Sequence, residues 1–363
     1  MKVESTFHTD FKLQGKSFES SKELIDFSRS ITPEIYSFLN EWFHTKKVFD
    51  VKTSGSTGPP KVIELQKKHM IQSALATGEF FELFNGTKAL LCMNPTYIAG
   101  KMMLVRALVL GWHLDIVSPA ANPLKNCDKQ YDFAAMVPLQ LHQSLEDIYK
   151  VKKLIVGGGA ISQELASKIQ HIETEVFATY GMTETITHVA IKKLNQFRSN
   201  DEALAAHYTV MPNISISLDE RNCLVIDAPG IANEKVITND LVELVSETEF
   251  IWHGRYDSII NSGGIKLIPE YIEEKLSGVI SNRFFVAGVP DTVLGEKMIL
   301  VVENKPENIS SENLRKEIKK LKFMSKFEIP KEIFVLKSFV ETPTKKINRA
   351  KTMGLIRGFD STN

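Results

Sequence analysis

Residues Thr53 to Lys61 read T-S-G-S-T-G-P-P-K. Four hydroxyls (Thr53, Ser54, Ser56, Thr57), two glycines (Gly55, Gly58) and a closing lysine, Lys61, crowd into this short run. Glycine permits backbone dihedrals that other residues resist, so successive N–H groups can converge on one point. Such a nest attracts anions, and hydroxyls with an ammonium add charge-assisted hydrogen bonds. The chemistry implied is phosphate binding. The spacing is not that of G-x-x-x-x-G-K-[ST], because Pro60 stands where the second glycine belongs and Lys61 is followed by Val62. That loop also opens a helix, whereas K-V-I-E-L alternates like a strand. Taken alone, a Gly/Ser loop is equally a mobile surface turn. The rest of the chain has to decide.

Four other places carry chemistry. A-T-Y-G-M-T-E-T (Ala178–Thr185) follows an apolar stretch and offers the flat face of Tyr180, the hydroxyl of Thr183 and the hard oxygens of Glu184, suited to a phosphate-bridged magnesium ion. In isolation it is equally a turn with a solvated glutamate. L-I-V-G-G-G-A places Gly157, Gly158 and Gly159 before Ala160, where missing side chains let a flat ring approach the backbone, although a lone triplet is weak. H-G-R-Y-D-S-I-I-N-S-G-G-I-K-L-I-P (His253–Pro269) holds the donor fork of Arg255 and a turn at Gly263-Gly264. Asp240, in T-N-D, precedes it and is a natural acceptor for a ribose diol. Finally, E-T-P-T-K-K-I-N-R-A-K-T (Glu341–Thr352) is basic. A charged tail is usually just solvated, but Pro343 and a preceding strand argue for order.

The elements that must position these residues alternate. A helical period runs over Lys67–Phe84 and stops at Asn85-Gly86, and another over Gly100–Leu110 ends at Gly111. Short apolar strands (A-L-L-C-M, L-D-I-V-S, F-A-A-M-V, L-I-V, E-V-F-A-T) are separated by helical stretches such as S-Q-E-L-A-S-K-I-Q. That alternation predicts an α/β fold, a mainly parallel sheet covered by helices on both faces. From about Ala205 the strands shorten, and a last region mixes strands with one helix, S-E-N-L-R-K-E-I-K-K-L, capped by Ser310 or Ser311. We read a large domain over 1–256 and a small α+β domain over 257–363.

At 363 residues such a division is expected. Lys+Arg and Asp+Glu are both 44, so no charge excess points to nucleic acid or an anionic membrane. Cys92, Cys127 and Cys223 lack C-x-x-C spacing, which fits buried thiols in a reducing compartment. The N-terminus lacks the apolar core of a signal peptide, and Lys101 and Arg106 interrupt the longest apolar stretch, so no membrane insertion is expected. A cytoplasmic, soluble protein is the expectation, with its oligomeric state open.

In this order the motifs resemble the adenylate-forming superfamily of acyl-CoA ligases, from about Lys52 to Lys351. T-S-G-S-T-G-P-P-K looks like its phosphate loop, Y-G-M-T-E like its magnesium and nucleotide motif, and T-N-D stands where the family has T-G-D. G-R-Y-D-S-I-I-N-S-G-G-I-K-L-I-P resembles its hinge and thiol channel, and T-P-T-K-K-I-N-R its catalytic lysine loop. The resemblance implies that ATP is held by Thr53–Gly58, Lys61, Gly158, Gly159, Ala160, Tyr180, Asp240 and Arg255. It implies Thr183 at the α-phosphate, Glu184 on Mg²⁺, Asp257 as hinge, Gly263, Gly264 and Lys266 along the CoA path, and Lys346 as the catalytic lysine. Lys345 stands where the family has glycine, so a swap between the two lysines stays open. The short run before Thr53 implies a cut-down N-terminal subdomain. Within the family, N-P-T-Y-I-A-G-K-M-M-L-V-R-A-L-V-L-G, A-A-M-V-P-L-Q-L and Y-G-M-T-E-T-I-T-H-V-A are similar to the o-succinylbenzoate–CoA ligase branch of menaquinone biosynthesis. Tyr97, Arg106 and His188 are then the candidates to hold the acid.

The implied reaction solves a chemical problem. A carboxylate does not acylate a thiol, because oxide would have to leave. Attack on the α-phosphorus of ATP makes an acyl-adenylate and releases pyrophosphate, and a thiol then displaces AMP. Such transfers need positioning and charge neutralisation above all. Alternatives are a ligase for another aromatic or fatty acid, or a stand-alone adenylation enzyme loading a carrier protein. A catalytically silent nucleotide-binding protein is disfavoured by intact Lys61, Glu184 and Lys346.

Overall fold

The computed structural model describes residues 7–52, 62–159, 161–197, 206–304, 310–342 and 346–356. The chain opens with β1 (Lys12–Leu13), α1 (Ser21–Ser28) and α2 (Pro33–Trp42). Ser20 and Thr32 cap these two helices by accepting from Glu23 N and Ile35 N, and Pro33 starts the second where no N–H is needed. Phe38, Trp42 and Phe49 stack with centroids 5.4–6.5 Å apart. Lys67 Nζ donates to the carbonyls of Glu41, Trp42 and His44 at 2.7–2.9 Å, capping the end of α2. Two strands follow, β2 (Val48–Lys52) and β3 (Val62–Gln66), antiparallel with Lys52 opposite Val62. The expected K-V-I-E-L strand is therefore real, and residues 53–61 span the connection of this hairpin. They lie outside the described residues.

Next come α3 (Lys67–Phe81), β4 (Lys88–Leu91), α4 (Ile98–Leu110), β5 (His113–Ile116), β6 (Tyr131–Met136), α5 (Pro138–Gln143), β7 (Val151–Val156), α6 (Gln163–Lys168) and β8 (Glu175–Gly181). α3 stops three residues before the predicted end, at Phe81. Glu82 adopts the left-handed conformation (φ 54°), so Leu83 N reaches back to Gly78 O at 2.8 Å while its side chain is buried. Burial of Leu83 outcompetes the Asn-Gly stop signal. α4 ends where predicted, at Gly111 with φ 71°.

The large sheet continues through β9 (His188–Lys193), β10 (Tyr208–Val210), β11 (Ser215–Leu218), β12 (Cys223–Asp227), β13 (Val236–Leu244) and β14 (Glu249–Arg255). Its order is β1-β5-β4-β6-β7-β8-β9-β10-β14-β13-β12-β11. The strands from β1 to β8 are parallel and the rest antiparallel, so the mainly parallel expectation holds for the first half. One core, with Trp112, Phe133 and Phe250, lies on one face, and a second, with Leu90, Leu154 and Val176, on the other. All three cysteines are unpaired and buried. From β4 the chain runs outward to β5 and then returns to β6 on the other side. Loops diverge at such a reversal and leave a crevice at the carboxyl ends of the strands, where α/β sheets bind ligands.

After a 3-10 turn (Tyr256–Ser258) the chain forms a second sheet from β15 (Ile260–Ser262), β16 (Ile265–Leu267), β17 (Phe284–Asp291), β18 (Gly295–Glu303) and β19 (Glu332–Leu336). α7 (Pro269–Leu276), α8 (Ser311–Lys319, capped by Ser310) and α9 (Arg349–Met353) accompany it. Among the described residues no helix is long and apolar enough to cross a membrane.

Candidate active site

The ends of β4, β6, β7 and β8 share one edge, and two of the motifs, Gly157–Gly159 and Tyr180–Glu184, stand there. Gly157 donates to Met136 O at 3.1 Å, and a side chain on it would collide with Thr179. Gly158 has φ 81°. Across the next strand end, Tyr180 Oη donates to Asp240 Oδ2 at 2.7 Å, and Trp252 Nε1 donates to Asp240 Oδ1 at 3.1 Å. Asp240 is 6% exposed and directly opposite Arg255 in the β13–β14 ladder. Tyr180 is wedged edge-on against Tyr208 and Phe250, and burial pushes its hydroxyl above the ordinary phenol range. The result is one aromatic wall with a fixed carboxylate beside it. Ala160, a neighbour of this wall in the sequence reading, lies outside the described residues.

Thr183 and Glu184 form a 3-10 turn directly after β8. The Glu184 carboxylate is exposed and has no partner among the described residues. No group of three or more His, Cys, Asp or Glu could hold a metal among the described residues. A magnesium ion needs fewer protein ligands than that, since it keeps several waters and takes one or two carboxylates plus substrate phosphates. An unpaired, solvent-facing Glu184 fits that requirement.

Behind the same turn the chain builds a buried polar cluster. Gly181 faces His188 in the β8–β9 ladder, and a side chain on Gly181 would collide with the Thr187 carbonyl. That close approach turns His188 inward against α3 and α4. Arg106 on α4 is 1% exposed, and its Nε donates to Thr77 Oγ1 at 3.2 Å. Its Nη2 lies 3.3 Å from Thr187 Oγ1 and 3.4 Å from His188 Nδ1, while His188 Nε2 is 3.2 Å from Thr77 Oγ1. With a guanidinium donating toward Nδ1, the ring carries its proton on Nε2 and gives it to Thr77. No carboxylate lies within ion-pair distance of Arg106 among the described residues. Burial pushes the guanidinium down to about 9, and burial together with Arg106 holds His188 well below its usual 6.5. Two of the three candidates for the acid therefore meet. Tyr97 stands apart, at the N-cap of α4 and partly exposed.

A pH dependence follows. The folded state keeps His188 neutral where the unfolded chain would bind a proton, so the unfolded state takes up more protons below about pH 6.5. Stability should be full above that value and fall as pH drops, by at most about 1.4 kcal/mol per pH unit for this group. Buried His69 acts in the same direction. Melting temperatures between pH 5.5 and 7.5 should slope less in His188→Gln than in the wild type. Equal slopes would show that His188 is not held neutral.

The remaining candidates lie at the junction of the two sheets and on the second one. Arg255 forks onto Asp257 through two bonds of 2.8 Å. These hold the Asp257 carboxyl below its usual range, with the Asn239 amide adding to the effect. Gly263 and Gly264 (φ 60° and 83°) form the two-residue turn between β15 and β16, which requires positive φ at both positions, and Lys266 is exposed beside it. Thr342 N donates to Lys346 O at 2.8 Å and Lys346 N to Thr342 Oγ1 at 3.1 Å, closing a loop whose middle, including Lys345, lies outside the described residues. The Lys346 ammonium is half-buried without a partner among the described residues, and burial lowers its pKa. Arg349, just beyond, pairs with Glu273 of α7 at 2.8 Å and pins the loop to the small sheet's helix.

Residues 52–230 match the AMP-binding enzyme family. A solved acyl-CoA synthetase (AMP-forming)/AMP-acid ligase II-like protein from Dyadobacter fermentans is 38% identical, over 93% of this chain and 98% of that one, with a TM-score of 0.60. The chain belongs to the AMP-binding enzyme family. It is an AMP-forming acyl-CoA ligase. A 2-succinylbenzoate–CoA ligase from Staphylococcus aureus is 22% identical to it, covering 87% of this chain and 68% of that protein. The fold is also that of o-succinylbenzoate CoA synthetase (MenE) from Bacillus subtilis in complex with the acyl-adenylate intermediate OSB-AMP, at 18% identity, 92% and 80% coverage and a TM-score of 0.73.

In this acyl-CoA ligase three residues that the sequence reading passed over complete the geometry. Trp252 holds the second oxygen of Asp240, and Thr77 and Thr187 hold Arg106. Trp252 shares a hairpin with Asp240, and their shared strand pattern was the available signal. Thr77 gave none, because it sits inside a helix whose sequence places it among ordinary buried positions.

Proposed function

We propose that this acyl-CoA ligase converts o-succinylbenzoate, CoA and ATP to o-succinylbenzoyl-CoA, AMP and pyrophosphate. The observation that carries the reading is Arg106, a buried cation with no acid beside it among the described residues. An isolated buried charge is costly, and among the described residues only hydroxyls, a neutral imidazole and the Met103 sulfur offset that cost. An acid with a second carboxylate supplies the missing counter-charge. o-Succinylbenzoate has two: the succinyl group to be activated and the ring carboxylate to be held. The names of the relatives described above support the same acid.

In this reading Thr53–Gly58 and Lys61 grip the β- and γ-phosphates, which become pyrophosphate. Gly158–Ala160 and the Tyr180 ring bracket the adenine. Asp240, fixed by Tyr180 and Trp252, accepts from the ribose hydroxyls, with Arg255 beside it. Thr183 donates to the α-phosphate, and Lys346 neutralises the charge that develops as the acid's oxygen attacks the α-phosphorus. Mg²⁺ on Glu184 would supply further charge neutralisation at the phosphates. Thiol attack on the acyl carbon then releases AMP, with CoA entering past Gly263, Gly264 and Lys266 after the small domain (257–363) turns about Asp257.

A thioester assay with CoA, ATP and a panel of o-succinylbenzoate, benzoate, 3-benzoylpropionate and fatty acids tests this. o-Succinylbenzoate is expected to give the highest kcat/KM. Better turnover of a monocarboxylic acid would overturn the choice of acid.

A further inference from the structure

The hinge proposed above is tied down by residues to which no role has been given. Arg221 lies in the tight β11–β12 turn, where Asp219 Oδ1 accepts from Arg221 N and Cys223 N at 2.8 and 2.9 Å. Its side chain is locked on three sides. Nε donates to Asp219 Oδ2 at 2.8 Å, Nη1 to Asn239 Oδ1 at 2.8 Å and Nη2 to Thr238 O at 3.0 Å. A guanidinium fixed by its edges presents a rigid face, and the Tyr256 ring lies on that face, 5.2 Å from centroid to Cζ. Tyr256 is the first residue of the turn that joins the two sheets. The next, Asp257, is forked by Arg255 of the large sheet. The third, Ser258, stands between the two: its hydroxyl lies 2.8 Å from Arg255 O of the large sheet and 2.9 Å from Glu270 Oε2 of α7. Within three residues the contacts go from the large sheet alone to both sheets at once.

We propose that Arg221 and Asn239 form a platform that clamps Tyr256 onto the large sheet, making them positioning residues that bias which of two orientations the small domain adopts. Asn239 stands in T-N-D where the family resemblance has glycine, so its amide, which receives Arg221, is a feature of this chain. A stacked guanidinium cannot be replaced by lysine without losing the flat face and the fork. Releasing the platform frees Tyr256 to rotate with the small domain. The proposal rests on the two-orientation mechanism given above, but not on the identity of the acid.

The three cysteines are buried, so spin labels can be placed at Glu146→Cys on the large sheet's side and Lys320→Cys beside α8, both exposed positions. Distances between them are measured without ligands and with ATP, o-succinylbenzoate and CoA. Arg221→Lys and Asn239→Gly are compared with the parent, with melting temperatures recorded for each. In the absence of ligands the ratio of the two distance populations should shift roughly tenfold in both variants, equivalent to about 1.4 kcal/mol. The ratio of adenylate-forming to thioester-forming rates should move with it. Distance distributions superimposable on the parent's, in variants that remain folded, would overturn the platform. A single distance in every variant and with every ligand would overturn it too, because nothing would then be swinging. Failure of the acid assignment registers only in the thioester assay and leaves the ligand-free distances standing.

Discussion

Lys346→Ala is expected to lower the rate of adenylate formation by about 10²–10³, on the scale of one preorganised donor, about 3–4 kcal/mol. The lysine meets the requirements for such a donor. Its backbone is held on both sides by Thr342, its loop is pinned through Arg349 to Glu273, and its ammonium is half-buried and uncommitted among the described residues. A charge already committed to a carboxylate would have to be released before it could act. Thioester formation from synthetic acyl-adenylate should be largely spared, because that step no longer involves the phosphates on which the proposed role has Lys346 act. Adenylate formation followed by pyrophosphate release, and thioester formation followed from added adenylate, separate the two. A large loss in Lys345→Ala and none in Lys346→Ala would move the role to the neighbouring lysine.

Arg106→Met should raise KM for o-succinylbenzoate about ten- to a hundredfold, the ~1.5–3 kcal/mol of a hydrogen bond to a charged group, and leave KM for ATP nearly unchanged. The comparison acid is 3-benzoylpropionate, which keeps the ketone and the reactive carboxylate but lacks the one on the ring. Its KM should barely change. Stability gives an independent reading, because replacing an uncompensated buried charge with an apolar side chain is often neutral or stabilising. The melting temperature should therefore hold or rise while KM worsens. His188→Ala should act in the same direction with a smaller effect, since His188 lies against the guanidinium at 3.4 Å. Equal KM changes for both acids would remove Arg106 from the ring carboxylate.

Much of the local structure around the candidate site was legible because it depends on local chemistry. Gly263-Gly264 had to be a turn, Ser310 or Ser311 had to cap a helix, and K-V-I-E-L had to be a strand, since each signal acts through the backbone of its own neighbours; the structure chose Ser310. The helix end at Phe81 was missed for the opposite reason. The burial of Leu83 is a tertiary effect, and it overrode the Asn-Gly signal four residues downstream of the true end.

By itself the sequence determined the family, through motifs whose order and spacing are one-dimensional facts, along with the alternation that makes a layered α/β fold and the separate character of the last third. Which side chains share a site was decided only by the tertiary structure. Thr77, Arg106 and His188 come from two helices and a strand, and they meet because a glycine at 181 lets β9 close on β8 and turn the histidine inward. That no described carboxylate stands beside Arg106 is likewise a property of the folded neighbourhood, since the chain has as many acids as bases and any of them could have been its partner. Charge pairing is set by distances of a few ångströms and by the dielectric around them, and neither is written in the spacing of residues along the chain.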